Sequence, residues 1–204
     1  MSGGEAQRIK LATVLSVRTS DKILYVLDEP TTGLHVEDIK RLIHALQSLA
    51  DEGHTLIIIE HSPEIILSAD YIVDLGPGSG DEGGDVVFSG CVDELVSCEN
   101  SKTGLFLKNL IENTKSHIGN EIREVNAEEP IRCRNISTNN LKNIDVDIPL
   151  NKIICVTGIS GSGKSSFAFD TLYAESKFKY LENYSTFVQT HIGGGRRGSF
   201  EHIN

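Results

Sequence analysis

The apolar segment Lys152 to Thr157 runs straight into Gly158-Ile159-Ser160-Gly161-Ser162-Gly163-Lys164-Ser165, and few folds accommodate that order. It reads as a buried strand, a glycine-rich loop and the first turn of a helix, the Walker A pattern of a phosphate loop. Gly158, Gly161 and Gly163 let the backbone turn tightly enough for its N–H groups to face phosphate oxygens. Lys164 brings a mobile positive charge to the β- and γ-phosphates, and the Ser165 hydroxyl is placed to ligate magnesium. Ser160, Ser162 and Ser166 complete the polar lining expected around ATP and Mg2+. A plain glycine-rich turn would explain the glycines but not the strand before them, the helix after them, or Lys-Ser in register.

Two further patterns belong to the same chemistry and stand earlier in the chain. Leu24 to Leu27 is a continuous apolar run ending in Asp28-Glu29, as expected of a buried parallel strand delivering carboxylates to a sheet edge. Asp28 is the expected magnesium partner and Glu29 the expected acceptor of a proton from attacking water. Thr55 to Ile59 is the next buried strand, and His61 just beyond it is the expected hydrogen-bonding switch at the γ-phosphate. Ser2-Gly3-Gly4-Glu5-Ala6-Gln7 reads as the signature of an ATP-binding-cassette ATPase. Its Ser2, Gly3 and Gly4 would face a nucleotide held by another cassette, and they would equally serve as a helix cap. The turn holding His35 is expected to touch the opposite cassette.

A single cassette runs phosphate loop, signature, carboxylate strand, whereas here the phosphate loop comes last. That order predicts a junction between two incomplete cassettes. Residues 1–96 then form the end of one, 97–130 a connector, 131–190 the start of the next, and 191–204 a tail. The expected fold class is α/β, a P-loop NTPase of ATP-binding-cassette type, incomplete and in two partial lobes. The first lobe should be the more compact, because it holds at least three strand candidates and an amphipathic helix with Ile39, Leu42, Leu46 and Leu49 in helical spacing. Ser62 and Pro63 suggest a capped short helix. Tyr71–Leu75, Val86–Phe88 and the alternating Ile144-Asp145-Val146-Asp147-Ile148 read as further strands. On this reading Asp28-Glu29 and Lys164 serve different sites, and an isolated monomer assembles neither.

Charge is uneven along the 204 residues: 6 basic and 18 acidic groups precede residue 101, and 13 and 11 follow. Bulk charge therefore gives the first half no grip on a phosphate backbone. Cys91, Cys98, Cys133 and Cys155 form no CxxC pair and have no histidine at zinc-finger spacing, so no zinc site is expected. No apolar run approaches membrane-spanning length, which favours a cytoplasmic protein without membrane contact.

Longer stretches carry a family resemblance. Residues 2–12 and 24–35, the segment Ala-Asp-Tyr-Ile-Val-Asp-Leu-Gly-Pro-Gly-Ser-Gly-Asp-Glu-Gly-Gly at 69–84, and residues 140–149 and 161–175 resemble the UvrA family, the damage-sensing excinuclease ATPases of bacterial nucleotide excision repair. The resemblance implies ATP contact at Lys164 and Ser165, magnesium and water activation at Asp28 and Glu29, γ-phosphate sensing at His61, and contact in trans at Ser2, Gly3 and Gly4. It also implies partners: a second cassette or second copy, damaged double-stranded DNA, and a helicase-like excision repair protein. The competing readings are a non-membrane cassette ATPase of resistance or translation type, and a nucleotide-binding fragment without turnover. The 69–84 stretch favours repair.

Overall fold

A computed structural model describes residues 21–114, 130–182 and 198–203. Its strands are β1 (Leu24–Asp28), β2 (Thr55–Ile59), β3 (Tyr71–Gly76), β4 (Asp85–Gly90), β5 (Ile131–Ile136), β6 (Ile144–Ile148), β7 (Ile153–Gly158) and the short β8 (His202–Ile203). The helices are α1 (Val36–Asp51), α2 (Pro63–Ser68), α3 (Val92–Val96), α4 (Lys102–Thr114), α5 (Lys164–Phe167) and α6 (Ala174–Glu182). A π-helical stretch, Ala168–Tyr173, joins the last two.

The main sheet has the order β1-β2-β7-β3-β4. Its first four strands are parallel and β4 returns antiparallel to β3. The fold is thus α/β, as the alternation of elements predicts, but two partial lobes are not what the sheet shows. Strand β7 pairs with β2 on one side, Ile58 opposite Cys155, and with β3 on the other, Ile72 opposite Cys155. A strand from the segment read as the start of a second cassette therefore sits inside the sheet of the first. Ile154, Cys155 and Val156 are wholly buried, whereas Leu24, Val26 and Leu27 of β1 are only partly so. β7 is thus buried as completely as β2 and β3 and more so than β1, because a strand as apolar as Ile153–Val156 is best buried where both its edges and both its faces are covered.

Side chains alternate across this sheet. Tyr25, Leu56, Ile58, Ile72, Ile153 and Cys155 pack on one face with Leu42, Leu46 and Leu49 of α1, Ile65 and Ile66 of α2, Leu95 and Leu107. Ile57, Ile59, Val73, Leu75, Ile154 and Val156 pack on the other with Phe167, Ala168 and Leu172. The same cluster takes in a small antiparallel sheet of order β6-β5-β8, whose Ile144, Val146 and Ile148 point inward while Asp145 and Asp147 face solvent. Each such aliphatic side chain contributes about 1.5–3 kcal/mol of burial.

Local chemistry sets the element ends. The His35 imidazole accepts from the Glu37 N–H at 3.4 Å and caps α1, and Gly53 ends it at φ +90°. Ser62 occupies the N-cap of α2 with Pro63 following, but its hydroxyl donates to Glu64 at 2.7 Å instead of capping the helix. The beginning of the segment read as a connector is packed against the core: Leu107 is buried, and Ser101 and Thr103 donate to the buried Asp74 carboxylate at 2.6 and 3.0 Å.

Candidate functional site

Because β1, β2, β7 and β3 are parallel, their C-terminal ends lie along one edge of the sheet. That edge presents Asp28 and Glu29 after β1, Glu60 and His61 after β2, the Gly158–Ser165 loop after β7, and the Gly76–Gly84 turn after β3. Ligands of open parallel sheets bind at such an edge.

The loop after β7 is built from glycine. Gly158, Gly161 and Gly163 have φ of +127°, +77° and +107°. A Cβ on Gly158 would stand 2.0 Å from the Leu75 carbonyl oxygen, and one on Gly163 would stand 2.8 Å from the Leu141 side chain. The Gly76–Gly84 turn clasps this loop: the Gly80 N–H donates to the Gly161 carbonyl and the Gly84 N–H to that of Ser162, each at 3.0 Å. The Asn140 amide donates to both the Gly80 and Gly161 carbonyls at 3.1 Å, tying the two segments together. Lys164 starts α5 and turns its ammonium to the Gly158 and Ile159 carbonyls at 3.0 and 3.1 Å. Burial lowers the pKa of that ammonium, opposed by the negative charges of Glu29, Asp28 and Asp74. Ser162 Oγ is fully buried and unpaired within the loop.

On the carboxylate side, Asp28 and Glu29 are exposed. Desolvation raises the Asp28 pKa above the ordinary aspartate value, Glu29 and Glu60 push it further, and Lys164 opposes them. Glu29 has φ +41°, a left-handed conformation that costs a side-chain-bearing residue on the order of 1–3 kcal/mol unless its surroundings enforce it. Its N–H donates to the Ile59 carbonyl at 2.9 Å, and its own carbonyl accepts from Thr32 at 3.1 Å. The His61 ring is 72% exposed, with Nδ1 3.8 Å from Glu29 Oε1. It is free to meet a ligand.

The structure therefore brings Asp28, Glu29, His61 and Lys164 to one edge within one chain. The expectation was that the carboxylates and the phosphate loop lie in separate lobes; the position of β7 sets them along one sheet edge. Ser160 and Ser165 are exposed, and Ser166 accepts from the Asn139 amide at 3.0 Å. Ser2, Gly3 and Gly4 lie outside the described residues. His35 is a helix cap, and His54 accepts from the Ile23 N–H at 3.2 Å under an edge-on contact with Tyr25. Sequence reasoning missed Glu60, Asn140 and Asp74. The signal for Glu60 and Asp74 was a carboxylate set within or directly after a buried strand, which calls for a partner; Asn140 stands in a polar turn that gives no such signal.

Among the described residues no group of three or more His, Cys, Asp or Glu side chains is arranged to hold a metal ion. Cys91, Cys98, Cys133 and Cys155 are free thiols, and burial pushes that of Cys133 up to about 12. No helix among the described residues is long and apolar enough to cross a membrane.

No family model matches the chain. Individual relatives do: it is 45% identical over 196 residues to the UvrABC system protein A of Aquifex aeolicus, covering 94% of this chain and 19% of that protein. The Staphylococcus aureus protein of the same name is 47% identical over 174 residues, 85% of this chain and 18% of the relative. A solved structure of UvrA2 from Deinococcus radiodurans aligns with 91% of this chain and 21% of its own at 34% identity, with a TM-score of 0.48. The chain thus spans about a fifth of the length of these relatives. Along most of its own length, then, it is a homologue of UvrABC system protein A, matching about a fifth of that protein.

Proposed function

We propose that this chain is an ATP-binding segment of a nucleotide excision repair damage-recognition ATPase, and that its two motif groups form one nucleotide site. The observation that carries this reading is the place of β7 between β2 and β3, which sets Lys164 in the field of Asp28 and Glu29. The residues fit a magnesium-bound triphosphate. Three left-handed glycines shape a cradle that a Cβ would obstruct, the buried Ser162 hydroxyl lacks a partner, and Lys164 supplies a cation. Magnesium keeps several waters and takes phosphate oxygens, so Ser165 and Asp28 suffice as protein ligands without a dense carboxylate cluster.

When bound, the nucleotide and its metal supply an activated phosphoryl group whose charge is partly neutralised. The loop amides and Lys164 bind and orient phosphate oxygens. Glu29 accepts the proton of a water at the sheet edge, and His61 positions that water through a ring nitrogen. Ser2, Gly3 and Gly4 complete the site of a second copy or second cassette. In the longer protein, this cycle would be coupled to damaged duplex DNA and to a helicase-like partner, the roles the family resemblance implies.

Calorimetry with MgATP tests the reading. Lys164→Ala removes a charge-assisted contact worth roughly 1–3 kcal/mol, so affinity should fall about 5- to 150-fold. Equal affinity in the variant, or no binding by the unaltered chain, contradicts it.

A further inference from the structure

Glu60 carries no role in the site as described, yet it is fully buried beside it. Its carboxylate takes hydrogen bonds from both neighbouring turns. Oε1 accepts from the Thr31 N–H at 3.0 Å and from the Thr31 hydroxyl. Oε2 accepts from the His61 N–H at 2.9 Å and the Ser62 N–H at 3.1 Å, and lies 3.9 Å from His61 Nδ1. Backbone N–H groups can only donate, so each oxygen must be an acceptor.

We propose that Glu60 is a positioning residue that locks the turn carrying Glu29 to the turn carrying His61, so that the water-activating carboxylate and the switch histidine move as one unit. This rests on the reading of Glu29 and His61 given above. Thr31 lies two residues past Glu29, whose left-handed backbone is held at its own N–H by the Ile59 carbonyl. Glu60 holds the far side of that turn. The same carboxylate holds the amide of His61, so loosening it releases both groups together. Side chains as short as aspartate do not span the two turns, and glutamine offers one acceptor where two are needed: its NH2 would face either Thr31 N–H or the His61 and Ser62 N–H pair, donor against donor.

The test uses the full chain with two variants. In Glu60→Gln, amide hydrogen exchange at Thr31 or at His61 and Ser62 should accelerate about tenfold or more, while Ile57 in mid-strand changes less than about twofold. MgATP affinity should stay within about threefold of the unaltered chain, since the phosphate loop is untouched, and any steady-state turnover should fall in kcat with little change in KM. Thr31→Val removes only the hydroxyl contact and leaves the fold intact. It should still accelerate exchange at His61 and Ser62, thirty residues away in sequence, by about threefold. A purely local structural role would leave those amides unmoved. Unchanged exchange at both turns in Glu60→Gln overturns the proposal, as does a loss of MgATP affinity matching that of Lys164→Ala. If the unaltered chain binds no MgATP, the nucleotide reading falls while the exchange measurements still decide whether Glu60 couples the turns.

Discussion

The phosphate loop and the carboxylate turn stand on the same sheet edge but are held by different means. The loop is fixed mainly by backbone, through three left-handed glycines and a clasp from Gly80 and Gly84, with the Asn140 side-chain amide bridging the two segments. The turn has a few backbone bonds of its own, such as that from the Glu29 N–H to the Ile59 carbonyl, but it is tied to the neighbouring turn by one side chain, the buried carboxylate of Glu60. The difference follows from what each must present. In the proposed roles, a cradle of N–H groups needs an immobile backbone with no Cβ in the way, whereas a proton acceptor and a switch residue need exposed side chains on turns short enough to be held from behind.

The sharpest way to break this contrast is to place one alanine on each side. Gly158→Ala drives a Cβ to 2.0 Å from the Leu75 carbonyl at φ +127°, and should destabilise the chain by roughly 3 kcal/mol or more in urea unfolding. Thr32→Ala, in the exposed carboxylate turn, should change stability by less than about 0.5 kcal/mol. Comparable losses in the two variants would mean that the loop is no more constrained than the turn.

A smaller effect separates the two regions by pH. Asp74, on β3 beside the phosphate-loop strand, has its pKa raised by burial, against the lowering action of Ser101, Thr103 and Lys164. The folded state therefore holds the Asp74 proton to higher pH than the unfolded chain does. Its contribution to stability is complete below the unfolded value of 3.8 and is lost as pH rises through the folded value. Asp74→Asn keeps an acceptor for Ser101 or Thr103 and removes the titration. In thermal unfolding across that window, the variant should lose less stability with rising pH than the unaltered chain. Parallel pH profiles would contradict the assignment.

The loop was legible in the sequence because its constraint is local: Gly158, Gly161, Gly163, Lys164 and Ser165 are contiguous or nearly so, and each states its own requirement. The carboxylates and His61 were legible for the same reason, each closing an apolar run. What joins them was not. Motif order alone placed the phosphate loop in a second unit, whereas burial of Ile153–Val156 is satisfied only between two other strands, a pairing made across about 95 residues of chain. Strand order is a long-range choice, and periodicity records only that a strand is buried, not by which neighbours. Glu60 failed to show itself because its four donors come from residues whose sequence pattern announces turns and nothing about what they bond.

The central claim is that β7 lies inside the sheet that carries the carboxylates, and amide hydrogen exchange tests it most directly. Among the described residues β1 pairs on one side only, through β2, while β7 pairs on both. Ile154 and Val156 should therefore exchange more slowly than Val26 and Leu27, by about tenfold or more, approaching the rate set by global unfolding. Faster exchange at Ile154 and Val156 than at Val26 and Leu27 would place β7 outside that sheet and return Lys164 and Asp28-Glu29 to separate sites.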